Sequence, residues 1–210
     1  GYPSFRYFED FLNDQAGNFL TLKGKGSVLN TLAFLNSKVA RYFLEIKSQT
    51  LNITADEINS IPIPNSEDVF SSDELITICK LEWDAKENSW DFNSNPLIKK
   101  NIIDLVESYD LFKQYWSNKF YQLHKNEEEL NRQFIEIYGL QDELTPEVPL
   151  EDITILKEET SIVNGELVFD QNEVFSQFIS YAVGCMFGRY SLNKEGLILA
   201  NQGETLQDYL

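Results

Sequence analysis

Few residues of this 210-residue chain have types and spacings suited to chemistry. His124 is the only histidine, and Cys79 and Cys185 lie far apart, so no pair of cysteines or histidines has the spacing of a zinc site. Metal ligation is not expected. His124 stands between Leu123 and Lys125 in an apolar helical pattern, where a solvent-facing or partly packed imidazole is expected in preference to a general base, which needs an orienting partner. No nucleophile elbow, Walker loop or paired-carboxylate motif occurs, and the many Glu and Asp residues read as surface material. One stretch has the order of a phosphate cradle: Leu20-Thr21-Leu22, the turn Gly24-Lys25-Gly26-Ser27, then a helix. It lacks the third glycine of the dinucleotide fingerprint and the spacing of a P-loop. A tight turn is the first reading, and a contact of Lys23, Lys25 and the helix N-terminus with a DNA phosphate is the second. Tyr2, Phe5, Arg6, Tyr7 and Phe8 pose a parallel choice between a packed strand and a base-stacking one, with packing the commoner arrangement. The candidates for DNA contact are Arg6, Lys23, Lys25, Lys38 and Arg41.

Charge confines these candidates to one end. Residues 1 to 64 hold six basic and six acidic side chains, whereas residues 65 to 210 hold eleven basic and twenty-eight acidic ones and carry the whole net charge of -17. Phosphate neutralisation supplies much of the affinity for DNA, so direct contact is expected only in the neutral segment. The acidic segment has a solvated face, or it faces away from DNA or meets a basic partner. No apolar run reaches the roughly 18 residues of a membrane span. The N-terminus lacks the basic, apolar and small-residue progression of a signal peptide. A cytoplasmic location with no membrane partner is the expectation, and both cysteines are expected to be buried, reduced thiols.

The elements that would position these residues follow from apolar spacing. Short strands are expected in the aromatic and turn-rich stretch up to Leu22. Leu29, Leu32, Ala33, Leu35, Val39, Tyr42, Phe43 and Ile46 then follow a helical period, with Ser27 as a candidate N-cap. After β-prone Thr50-Leu51-Asn52-Ile53, Thr54 and Glu57 form a capping-box signal for a short helix, and Ile61-Pro62-Ile63-Pro64 stays extended. The polar connector 65 to 71 coincides with the charge shift and divides a domain of residues 1 to 64 from one of residues 65 to 210. A helix from Ser72 to about Lys86 follows. A seam from Leu97 to Ile137 then predicts either two helices broken near Lys125 or one long helix with a polar middle. Gly139 is placed as its C-cap, and Asn164-Gly165 marks a β-hairpin. Asp170 and Glu173 start a helix running to about Phe187. The expected fold class is α+β and predominantly helical: a small mixed α/β unit, then a helical domain with a β-hairpin.

Several segments together resemble the PglX-type adenine-specific DNA methyltransferases of BREX phage-defence systems, relatives of type II enzymes that fuse methyltransferase and specificity regions. They are Pro3 to Tyr7, Leu32 to Ala40 with Thr50 to Ile53 and Ile61 to Ile63, Glu82 to Phe92, Phe134 to Val148, and Ser180 to Leu192. The Leu-Asn-Ser-Lys helix followed by Ile-Pro is shared broadly with specificity domains, and the last two blocks are more specific. The resemblance implies a parent enzyme that transfers a methyl group from S-adenosylmethionine to N6 of adenine. The family's Asn/Asp-Pro-Pro-Tyr motif has no counterpart, because no Pro-Pro pair occurs, and its glycine-rich cofactor motif is also missing. No catalytic, cofactor-binding or metal residue carries over. The resemblance thus implies a fragment of a longer protein, with residues 1 to 64 the remnant of a target-recognition region and residues 65 to 210 the helical region after it. The leading expectation is a non-catalytic DNA-recognition and structural module. Its rival is a protein-interaction scaffold that docks other phage-defence proteins without touching DNA. A methylation assay of this chain with S-adenosylmethionine and duplex DNA is expected to show no transfer, and any cofactor-dependent incorporation would overturn the non-catalytic reading.

Overall fold

Helices dominate the computed structural model, and the only sheet among the described residues is one two-stranded antiparallel hairpin, as expected for a predominantly helical α+β chain. The structure describes residues 5–7, 20, 28–48, 53–64, 73–98, 104–200 and 203–208. Its elements are α1 (Val28–Leu35), α2 (Lys38–Lys47), α3 (Ala55–Asn59), α4 (Asp73–Asp84), α5 (Leu105–Tyr138), β1 (Thr160–Val163), β2 (Glu166–Phe169) and α6 (Gln171–Met186). The chain forms two compact units, Gly1–Leu75 with Lys125–Val148, and Ile76–His124 with Pro149–Leu210. Several expectations lie outside the described residues: most of the strand-prone N-terminal stretch, the glycine turn with Lys23 and Lys25, the Ser27 cap, Thr50 to Asn52, the connector 65 to 71, and Ser72. Phe5 to Tyr7 and Leu20 are described and form no regular element.

In the first unit, the single helical period from Leu29 to Ile46 is divided into α1 and α2. Asn36 and Ser37 cause the break, because short polar side chains compete for backbone hydrogen bonds. Ser37 is extended (φ -77, ψ 161) and N-caps α2 by accepting the Ala40 N–H. Its hydroxyl donates to the Phe34 carbonyl at 2.6 Å. The apolar pattern survives the break, since Phe34, Leu35, Val39, Ala40 and Leu44 all enter one core with Leu130, Phe134 and Ile135 of α5. Phe34 meets Phe134 edge-on at 5.3 Å and stacks on Tyr138 at 5.5 Å. α3 begins with the expected capping box of Thr54 and Glu57, and Ile58 and Ile61 anchor it to the same core. The Ile-Pro segment is held at Pro62, whose carbonyl accepts the Tyr138 hydroxyl.

α5 is one continuous helix of 34 residues, so the expected alternative of a break near Lys125 is not realised. Its polar middle is satisfied by protein partners instead of by unwinding. Asn126 donates to Glu74 at 2.9 Å, Glu128 accepts the Val148 N–H at 3.1 Å, and Glu129 pairs with Arg132 and Gln133. The helix ends where Gly139 takes a left-handed φ of 65. The Gly139 N–H then bonds the Glu136 carbonyl and the Leu140 N–H bonds the Ile135 carbonyl at 2.9 Å, a Schellman closure.

In the second unit, Tyr109, Phe112, Trp116, Phe120 and Leu123 of α5 repeat by threes and fours and are buried, along with Ile78 of α4 and Val174 of α6. The hairpin turns at Asn164 and Gly165, both at positive φ (53 and 79), the conformation a two-residue type I′ turn requires. Asp170 caps α6 by accepting the N–H groups of Asn172 and Glu173. Neither cysteine is in a disulfide, and both are half-buried, not buried as expected, because each lies at the margin of its helix's packed face. A smaller cluster joins Phe92, Tyr181 and Tyr190, with ring centroids 5.1 to 5.8 Å apart. Gly184 makes this cluster fit: a Cβ there would lie 2.6 and 2.8 Å from the Tyr190 ring. Gly184→Ala is therefore expected to destabilise the second unit by about 1–3 kcal/mol through overpacking. Urea unfolding followed by tyrosine and tryptophan fluorescence measures this, and a variant as stable as the wild type would refute the close approach.

Candidate functional site

Of the DNA-contact candidates, Arg6, Lys38 and Arg41 lie among the described residues, all in the first unit. The segment bearing Arg6 is held through its neighbour. The Phe5 N–H donates to Asn36 Oδ1 at 3.0 Å, and Asn36 Nδ2 donates back to the Phe5 carbonyl at 3.1 Å. One side-chain amide thus pairs with both backbone groups of Phe5, while the Phe5 ring packs on the core. This favours the packed reading for Phe5, and it leaves Arg6 and Tyr7 exposed.

α2 carries Lys38 in its first turn and Arg41 on its exposed face. Its N-terminus is closed to an external anion at two of its orphan donors. The Ala40 N–H goes to Ser37, and the Lys38 N–H donates to the buried Asn131 Oδ1 of α5 at 2.9 Å. Asn131 Nδ2 in turn donates to the Pro146 carbonyl at 3.4 Å. The Lys38 ammonium also points to protein, donating to the Glu147 carbonyl, and its charge helps hold the Glu147 carboxyl below its usual range, behind the hydrogen bond from Thr145. Lys38 therefore serves as a tether inside the unit. Arg6 and Arg41 are the described candidates with exposed side chains.

The surrounding charge also differs from that of the isolated segment. Residues 125 to 148 bring two basic and seven acidic side chains into the first unit, which totals eight basic against seventeen acidic. Any phosphate contact there sits on a small basic feature within an acidic body.

The most concentrated charge chemistry lies in the second unit and was not legible as such in the sequence. Lys86, just beyond α4, places its ammonium 2.9 Å from Glu82, 3.3 Å from Glu159 and 3.5 Å from Glu158. Glu82 and Glu159 are buried, against the expectation that the acidic residues lie on the surface. Each has a second partner that offsets its desolvation. Glu82 accepts the Leu156 N–H at 3.1 Å, pinning a leucine in the left-handed region (φ 58), and Glu159 accepts Gln177 of α6 at 2.8 Å. Burial disfavours the Lys86 ammonium most, yet the Glu82 hydrogen bond and the fields of the three glutamates together hold its pKa above the ordinary lysine value. The i, i+4 spacing of Glu82 and Lys86 was the one available signal.

A pocket opens beside this cluster, lined by Glu82, Lys86, Asn95, Trp116, Glu159 and Gln177 among others. Its charged groups are bonded to one another, and no glycine is among its lining residues. Among the described residues no group of three or more His, Cys, Asp and Glu could hold a metal ion, and no helix is long and apolar enough to cross a membrane. His124 is half-buried on α5.

The chain's relatives are adenine-specific methyltransferases. It is 35% identical over 199 residues to adenine-specific methyltransferase PglX of Lacticaseibacillus casei (strain Zhang), an alignment covering 90% of this chain and 16% of that protein. It is 32% identical over 208 residues to adenine-specific methyltransferase BrxX of Escherichia coli O9:H4 (strain HS), covering 95% of this chain and 17% of that protein. The resemblance expected from the sequence thus extends over nearly the whole chain, which spans about one sixth of the length of the curated relatives it matches. No family model matches it.

Replacing Lys86 by Met would leave Glu82 and Glu159 buried together without their cation. The expected loss is about 3–5 kcal/mol in urea unfolding at neutral pH. Because the folded-state pKa of Lys86 is raised, this contribution is present throughout the range below the ordinary lysine value of 10.5 and fades as the pH climbs beyond it. The gap between wild type and variant should narrow there. A gap unchanged by alkaline pH would mean that packing, not charge, accounts for the loss.

Proposed function

We propose that this chain is a non-catalytic region of an adenine-specific DNA methyltransferase in phage defence, providing recognition and architecture to a methyl-transfer machinery formed by other residues. The carrying observation is the likeness to about one sixth of two adenine-specific methyltransferases, in a chain that has neither a Pro-Pro pair nor a glycine-rich cofactor motif. On this reading residues 1 to 64 belong to a target-recognition region, and residues 65 to 210 form the acidic helical domain that supports it. DNA is the substrate and S-adenosylmethionine the methyl donor of the whole enzyme, acting in the cytoplasm where the chromosome lies.

Arg6 and Arg41 are the side chains proposed to meet phosphates, with Lys23 and Lys25 added on sequence grounds. Lys38 leaves the set because its ammonium is already tethered to Glu147. The acidity of both compact units supports a narrow contact, with most of the surface turned away from the duplex.

Fluorescence anisotropy with a labelled duplex, read between roughly 50 and 200 mM salt, tests this reading. Arg6→Glu and Arg41→Glu are each expected to weaken binding about tenfold and to lower the log-log salt slope by about 1. Absence of binding by the wild-type chain at the lowest salt, or unchanged affinity in both variants, would rule out direct DNA contact through these residues.

A further inference from the structure

α6 has no charged side chain from Val174 through to the glycine that follows it at 188, in a chain where 24% of residues are charged. Its inner face is accounted for. Val174 and Tyr181 are buried, and Phe175 packs on Tyr109 at 5.4 Å. Its outer face is uncharged and mostly apolar, with Ser176 and Ser180 the polar residues exposed beside the apolar ones. Ile179, Val183, Met186 and Phe187 are 60%, 43%, 83% and 86% exposed. Their spacings of four, three and one place them in a single stripe, because residues three and four apart are neighbours on a helix surface. A solvated helix face ordinarily carries Lys, Glu or Arg, and this one carries none beyond Glu173. Ile179, Val183 and Phe187 also form one i, i+4 ridge, the feature that seats into the groove of a second helix.

Charge identifies the kind of helix that fits. The unit bearing the stripe has nine basic and seventeen acidic side chains, and the other unit is acidic too. A second copy of this chain would therefore approach against like charge, whereas a basic partner is drawn in. We propose that the outer face of α6 is a docking surface for an amphipathic helix of a basic protein, with its apolar side seated on Ile179, Val183, Met186 and Phe187. The uncharged stripe selects for apolar shape, and the net acidic charge of the unit selects for Lys and Arg on the partner's flanks. This inference is independent of the DNA reading, which concerns the first unit alone.

The test titrates the full chain into three labelled helical peptides of about 18 residues, five turns each. One has Leu on one face and Lys on the other, the second has the same pattern with Glu for Lys, and the third has the Leu-Lys composition scrambled so that no apolar face forms. The amphipathic basic peptide should bind at least about tenfold more tightly than either other peptide, and Met186→Ser with Phe187→Ser should reduce that binding about tenfold. Both side chains are exposed, so the thermal melting temperature of the double variant should stay at the wild-type value. Equal binding of the scrambled peptide would reduce the effect to charge alone, and equal binding of the Glu peptide would remove the basic partner. No binding of any peptide would also overturn the proposal. So would a dimer of the chain alone, seen by light scattering and abolished in the double variant, because the occupant would then be a second copy.

Discussion

The apolar seam of α5 is the interaction on which the rest of the structure depends. Tyr109, Phe112, Trp116, Phe120 and Leu123 furnish the core of one unit, and Leu130, Phe134 and Ile135 furnish the core of the other. A helix can supply two cores in succession only if it remains unbroken where its apolar pattern lapses. Asn126, Glu128 and Glu129 meet that condition by finding hydrogen-bond partners within the protein. Asn126 is the buried member of the three, and left unpaired it would cost about 1–3 kcal/mol. The polar middle of α5 thus supports its continuity alongside the aromatic flanks.

Local signals were legible where the chemistry is local. The Thr54 and Glu57 capping box, the Asn164-Gly165 turn, the Gly139 cap and the Asp170 cap each depend on residues within a few positions of one another, and each is present. The break between α1 and α2 was harder to see, because the apolar period runs through it. The signal there was Asn36-Ser37, a pair that readily turns its side chains back on the backbone. What could not be read were partnerships across long separations. Asn131 caps a helix 93 residues earlier in the chain, and Glu82 holds the backbone of Leu156 74 residues later. No periodicity encodes such pairs. The tether of Lys38 to the Glu147 carbonyl spans 109 residues and is hidden from the sequence in the same way.

The segments that carry the likeness to adenine-specific methyltransferases are largely the segments that hold the fold together. The block from Glu82 to Phe92 provides Glu82, Lys86 and Phe92 to the charge cluster and the aromatic cluster. Residues 134 to 148 provide Phe134, Tyr138 and Glu147 to the first unit's core and tether. The stretch from Ser180 to Leu192 provides Tyr181, Gly184 and Tyr190. Similarity in these blocks therefore speaks for a shared architecture. What such an architecture presents to the outside is its exposed side chains.

The amide of Asn36 shows how such presentation works. It grips the Phe5 N–H and carbonyl as a neighbouring strand would, touching only atoms common to every amino acid except proline. The grip is indifferent to the side chains on either side of it. Position 6 could therefore be varied while the peptide stays in register, which makes it a natural place to graft a new binding preference without redesigning the body that bears it.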